Sequence, residues 1–335
     1  MKNQNYILIT FIFIALLATQ CKKKDVNIPN TSSIQYCPDK YMLHSEPYPD
    51  SFVIMDITSS CPSSHELYFL EDYIYDEPVV NPNNPFEIAF VRVDPTVMGY
   101  DRELCVYNFC TNKLDVLTGD VGSGLDWSIK DWIIFTGSNG SVRVKSNGDS
   151  LSSQVNSGFE ARWSPSGEKY VYRDPDWIGG TPIKIADETG ATIGSIPIYF
   201  YSWDWLNENE IVYSKQGNNK LIKYDISTGV STDIVSHPGI APSDGQISVD
   251  DQQRIYTQID EAMIRVDLNG NIEYLDTNYT TFSSSFAQHL YGSKILFKRH
   301  VLDTTNIGSC ENYVATYISI LDEATGEERR VKIPE

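Results

Sequence analysis

The chain has 335 residues, 41% hydrophobic and 12% aromatic, enough apolar surface to close one sizeable core. Its 45 acidic residues outnumber 26 basic ones, for a formal net charge of −19, and a body this acidic repels phosphate backbones, which excludes nucleic acid as a partner class. Valine, isoleucine, threonine and tyrosine dominate the periodic segments, and helical periodicity is confined to the extreme N-terminus, so the composition points to an all-β protein.

Residues 1–20 carry Lys2 and an apolar stretch at 6–17, followed by Leu17-Ala18-Thr19-Gln20-Cys21. The apolar stretch is in the signal-peptide range and short of the roughly 20 residues that cross a bilayer as a helix. The five residues that end at Cys21 resemble the lipobox of bacterial lipoproteins. That resemblance implies a lipoprotein signal peptide at 1–20 and Cys21 as the lipidated first residue of the mature chain. More than one acyl chain there, at about 0.8 kcal/mol per buried methylene, gives stable membrane anchoring. Lys22, Lys23 and Lys24 follow with no aspartate directly after the cysteine, which implies a lipid anchor in the bacterial outer membrane, periplasmic or surface-facing. Residues 21–35 read as a lipid-anchored, polar tether, and residues 36–78 as an N-terminal extension with strand-like runs at 52–57 and 67–75.

From Val79 onward one unit recurs. Its fullest copy, residues 159–197, has strands predicted at 160–163, 169–173, 182–187 and 191–196. The first two are joined by Ser164-Pro165-Ser166-Gly167 and the last two by Glu188-Thr189-Gly190. An apolar triad marks the second strand of each copy, starting at Ile88, Ile133, Tyr170, Ile211, Ile255 and Ile295, with successive starts 45, 37, 41, 44 and 40 residues apart. An Asp…Gly turn keeps step at 187–190, 225–229, 267–270 and 322–326, with looser copies at 108–113 and 145–148. Trp127, Trp163 and Trp205 close first strands and are expected in the core between units. A period near forty is that of a four-stranded propeller blade. The predicted fold is an all-β β-propeller of six four-stranded blades over 79–335, with seven as the alternative. Residues 36–78 then form a cap, a ring-closing strand or a degenerate further blade.

Ala161-Arg162-Trp163-Ser164-Pro165-Ser166-Gly167, with Asp187-Glu188-Thr189-Gly190 after it, resembles the repeat of TolB-type (WD-repeat-like) propellers. Together with the lipobox this implies a TolB-like six-bladed propeller lipoprotein of the cell envelope.

In a meander blade the turns after strands one and three share one face and the remaining connections share the other. The first set is short here and the second long, at 94–101, 174–182, 236–245 and 300–313. Long loops on a rigid scaffold are where binding residues concentrate, so the long-loop face is the expected working surface. Its candidate ligand-binding residues are Tyr100, Trp177, Tyr199, Tyr201, His237, Asp303 and Asn306, the aromatics offering large contact area at low entropy cost. No nucleophile elbow and no phosphate-cradling glycine loop is present, and no histidines pair at metal-ligand spacing, so no catalytic or metal residue is assigned. Loop carboxylates Asp94, Asp101, Asp174, Asp176 and Asp303 could hold calcium, the one cofactor left open, or serve a metal-dependent propeller hydrolase or lyase acting on sugars or lactones. The leading expectation is a binding or protein-interaction module whose partner is an envelope protein, peptide or glycan. In an oxidising envelope Cys37 is expected to pair with Cys61, and Cys310 could meet Cys105 or Cys110.

Overall fold

The computed structural model describes residues 73–94, 101–152, 154–175, 183–197, 202–214, 219–240, 247–259, 262–275, 282–302 and 313–334. They form six antiparallel sheets, each built from consecutive strands. The first blade is β1 (Ile74–Asn81), β2 (Asn84–Asp94), β3 (Asp101–Asn108) and β4 (Lys113–Thr118); the second is β5 (Asp126–Trp127), β6 (Trp132–Gly137) and β7 (Gly140–Lys145). The third is β8 (Phe159–Trp163), β9 (Lys169–Arg173), β10 (Ile183–Asp187) and β11 (Thr192–Ile196), and the fourth β12 (Ser202–Asn207), β13 (Glu210–Ser214), β14 (Lys220–Asp225) and β15 (Val230–Ser236). The fifth is β16 (Ser248–Val249), β17 (Ile255–Ile259), β18 (Ala262–Val266) and β19 (Ile272–Tyr274), and the sixth β20 (Phe282–Tyr291), β21 (Lys294–Leu302), β22 (Tyr313–Asp322) and β23 (Glu327–Arg330). In the second blade the outer position is held by an irregular stretch, where Val155 N–H donates to Ser141 O at 2.8 Å and Ser141 bridges Asn156.

All six apolar triads fall in second strands, and their alternation explains why they read as continuous apolar runs. The middle residue faces the next blade, as Ala89, Ile134, Val171, Val212, Tyr256 and Leu296 do. The flanking apolar residues face the previous blade, as Ile133 with Phe135 and Tyr170 with Tyr172 do. Both faces of every sheet are therefore buried, so period-two polar alternation is lost. Trp127, Trp163 and Trp205 each pack against the preceding blade, as the sequence suggested.

The sixth of these interfaces closes the ring, and among the described residues each blade keeps its own consecutive strands there. Tyr75, Phe86, Ile88, Phe90, Tyr107 and Phe109 of the first blade bury against Leu290, Leu296, Ile318, Ile320 and Val331 of the last. Tyr75 stands edge-on to Phe90, with ring centroids 5.6 Å apart. The blades number six, settling the choice between six and seven, and the first opens at Ile74, ahead of the Val79 at which the repeat becomes readable.

The Asp…Gly marker also has a physical cause. Asp187 Oδ1 accepts from Thr189 N, Thr189 Oγ1 and Ala191 N, and Asp225 and Asp267 repeat the pattern. These bonds favour the charged form and hold all three carboxyls below the usual range. Gly190 has φ +96°, and a Cβ there would lie 2.2 Å from Val155 O, so the turn tolerates no side chain.

Two sequence readings need correction. His300 belongs to β21, because the ladder with β22 continues to Leu302↔Tyr313, so the connection begins at 303 and not at 300. Cys105 is a free thiol buried in β3, whose burial pushes it up to about 12, and it cannot take Cys310, whereas Cys110 is disulfide-bonded.

Candidate functional site: the inner-strand ring

The first strand of each blade lies innermost, so the six of them surround the axis. Each is joined to the next by a bond that involves a side chain. Glu77 Oε2 of the first blade accepts Leu125 N–H, just before β5, at 2.9 Å. Asp126 Oδ2 of the second accepts Trp163 N–H at 2.6 Å. Between the third and fourth, Trp205 Nε1 donates to Arg162 O at 2.9 Å. Asp204 Oδ2 of the fourth accepts Val249 N–H at 2.7 Å, and Ser202 Oγ accepts Ile247 N–H at 2.7 Å. Ser248 Oγ donates to Ala287 O, and Gln288 Oε1 accepts Val80 N–H at 2.9 Å, which brings the ring back to the first blade.

These latches share one register. Asp126, Arg162, Asp204, Ser248 and Gln288 pair with Ile134, Val171, Val212, Tyr256 and Leu296, the middle residues of their triads. The first blade departs from it through a bulge between Asp76 and Val79, where Glu77 takes φ +49° and its side chain is re-aimed. Glu160 sits at a second such bulge, between Phe159 and Arg162, with φ +52°, and pairs with Arg173 at 2.9 Å.

One guanidinium serves several acids here. Arg162, 8% exposed, donates to Leu125 O, and its charge favours the ionised forms of Glu77, Asp126 and Asp204. It does not neutralise them all. Burial and the adjacent Asp76 push Glu77 up to about 7, against the pull of Leu125 N–H and Arg162. Burial and then Asp126 push Asp204 up to about 7, and burial raises Asp126. Asp76 goes the other way: burial raises it, but Lys298, whose Nζ lies 2.5 Å from Oδ1, and Arg102 more than offset that.

Glu77 therefore carries a pH signature. Between its unfolded value of 4.5 and its folded value of about 7 the native state holds a proton that the unfolded chain has released, so stability falls as pH rises through that window. Glu77→Gln accepts the same N–H without a charge. Urea unfolding is expected to show the variant close to wild type at pH 5 and more stable, by on the order of 3 kcal/mol, at pH 8. A difference independent of pH would contradict the assignment.

Of the candidate ligand-binding residues that the sequence singled out, His237 is described. It follows β15, and its Nδ1 accepts Gly239 N–H at 3.2 Å while its own N–H donates to Asn219 O, so the imidazole organises its loop. Tyr100, Trp177, Tyr199, Tyr201, Asp303, Asn306, Cys21, Cys37 and Cys61 lie outside the described residues. Asp94 and Asp101 face each other where β2 and β3 meet the long-loop rim, and Asp174 pairs with Lys184 at 3.7 Å. The connections of the tight rim run from two residues, as at 82–83, to five, as at 250–254. Among the described residues Asp250, Asp251 and His289 form a compact group of potential metal ligands, but Asp250 already accepts from Arg254 Nε at 2.6 Å, from Tyr256 Oη and from backbone N–H groups. A cavity of about 330 Å³ lined by Glu87, Lys113, Leu117 and Asn147 lies at the outer edge of the first two blades, away from the axis.

The latching residues escaped the sequence reading although a signal for them exists. Asp126-Trp127, Arg162-Trp163 and Asp204-Trp205 place a charged residue directly before each phased tryptophan.

No family model matches the sequence, and no curated protein matches it. Solved structures do match, at a distance. A protein assigned as TolB from Agrobacterium tumefaciens is 17% identical with a TM-score of 0.51, over 67% of this chain and 86% of its own. Virginiamycin B lyase from Staphylococcus aureus is 12% identical with a TM-score of 0.50, over 79% of this chain and 97% of its own. Acylaminoacyl peptidase from Pyrococcus horikoshii is 11% identical with a TM-score of 0.50, over 78% of this chain and 52% of its own. The chain is a six-bladed propeller distantly similar in structure to TolB-like, lyase and peptidase propellers, proteins of different activities that share the fold.

Proposed function

We propose that the chain is a lipid-anchored binding propeller of the bacterial cell envelope, tethered to the outer membrane through Cys21, that takes an envelope protein, a peptide or a glycan on its long-loop face. One observation carries this reading. Inner-strand groups that could otherwise meet a ligand at the axis, Glu77, Asp126, Asp204 and Gln288 among them, are bonded to the backbone of the neighbouring blade. Axial chemistry is thereby engaged in holding a rigid ring, and the long connections at one rim remain as the variable surface. The N-terminal sequence pattern supports the anchor, and the absence of aspartate after Cys21 supports the outer-membrane destination.

Capture from solubilised membranes tests it. Replacing Trp177, Tyr199 and Tyr201 together by alanine is expected to lower partner capture at least about tenfold while folding is retained, since aromatic anchors dominate such interfaces. Unchanged capture would remove this face from the reading. Turnover of a sugar or lactone that chelator abolishes would replace binding by catalysis.

A further inference from the structure

We propose that Cys110 forms its disulfide with Cys37 or Cys61, which staples the segment preceding the first blade to the tight-turn rim of the propeller. Cys110 is disulfide-bonded and lies in the turn between β3 and β4. It packs against the ring-closing cluster together with Tyr291, the last residue of β20, so its sulfur sits at the tight rim where the first and sixth blades meet. Cys105 is free, which leaves Cys21, Cys37, Cys61 and Cys310 as partners.

Strand direction removes Cys310. The connection that contains it leaves β21 at Leu302 and enters β22 at Tyr313, so both of its ends are on the long-loop rim. From there to the tight rim the sixth blade spans the 9 residues of β21, about 30 Å at roughly 3.3 Å per residue. Cys310 precedes Tyr313 by three residues and can reach about 11 Å from it, whereas a disulfide requires Cα atoms within about 7 Å of each other. Cys21 has no thiol to offer if its sulfur carries the lipid, as the lipobox implies. Reach favours the remaining two. Cys61 lies 13 residues before Ile74, where β1 starts at the long-loop rim, and an extended chain of that length covers roughly 43 Å, more than the thickness of the blade; Cys37 has more slack.

Closing the bond joins two sulfurs and removes two electrons and two protons from the thiol pair. The disulfide of a thiol–disulfide oxidoreductase in an oxidising envelope accepts them and becomes a dithiol. The staple excludes the Cys37–Cys61 pair expected from sequence.

The test is peptide mapping by mass spectrometry of the full mature chain, purified from the envelope with free thiols alkylated and no reductant. The expected map contains the Cys110 peptide linked to a peptide with Cys37 or Cys61, and Cys105 is alkylated only after unfolding. In Cys110→Ser the linked peptide is lost and one additional alkylated thiol appears at position 37 or 61. Cys110 linked to Cys310 or Cys21, or recovered alkylated, would overturn the proposal, and the wild-type map decides this whether or not the variant folds. The map reads linkage only, so its failure leaves the capture experiment unaffected, and the reverse also holds.

Discussion

Arg162→Met is expected to lower stability by about 3–5 kcal/mol at pH 8, the range found when one partner of a buried charge group is removed. The side chain is 8% exposed, donates to Leu125 O and is the cation common to Glu77, Asp126 and Asp204. Without it three acids that burial already drives toward protonation lose the cation they share, and their folded values rise further. The sign of the pH effect follows: a carboxyl with a raised folded value destabilises above that value and not below the unfolded one, so the loss is smaller at pH 5 than at pH 8. Adding Asp204→Asn to Arg162→Met is expected to recover about 1 kcal/mol or more at pH 8, because the two sites are coupled. Denaturant midpoints of the single and double variants at both pH values check this. Additive losses with no pH dependence would mean that Arg162 acts through packing alone.

Phe90→Ala is expected to cost about 3–5 kcal/mol and to open the ring at one place. Phe90 is 0% exposed, stacks edge-on with Tyr75 and lies in the interface between the first and sixth blades. Successive blades are covalently joined by the chain, so a loosened interface between them closes again at high effective concentration. No connection joins the sixth blade to the first among the described residues, and no strand is exchanged there; closure rests on the cluster around Phe90, on Val80 N–H to Gln288 and on Lys298 with Asp76. Hydrogen exchange in Phe90→Ala should therefore accelerate first in β1 and in β20–β22, whereas Phe135→Ala, at the interface of the first two blades, should not produce this pattern. Uniform acceleration around the ring in both variants would contradict side-chain closure.

The contrast between what could be read from the chain and what could not has a consistent physical origin. The triads were legible because a sheet buried on both faces needs a run of apolar residues at one strand position, and six runs forty residues apart leave little choice of architecture. The Asp…Gly turns were legible because the carboxylate bonds its own turn and the glycine adopts a left-handed φ, both local requirements. The inner-strand latches were not, because Asp126 and Asp204 bond backbone N–H groups 37 and 45 residues away, and in sequence an inward aspartate looks like a solvated one. Glu77 was harder still: it precedes the first readable marker, and its inward aim depends on a bulge that shifts the register. The edge of the first blade was missed for the same reason, since β1 carries no phased tryptophan. The loop residues proposed for binding lie largely outside the described residues, and His237 is occupied with its own turn.

The central functional claim is that the axis holds the ring together and the long-loop face does the binding. It is tested most directly by measuring membrane-partner capture for Glu77→Gln beside the Trp177, Tyr199 and Tyr201 alanine variant, at equal folded concentration. The account predicts capture within about twofold of wild type for Glu77→Gln and a loss of at least about tenfold for the loop variant. Loss of capture in Glu77→Gln with the loop variant unaffected would contradict it and move the site to the channel.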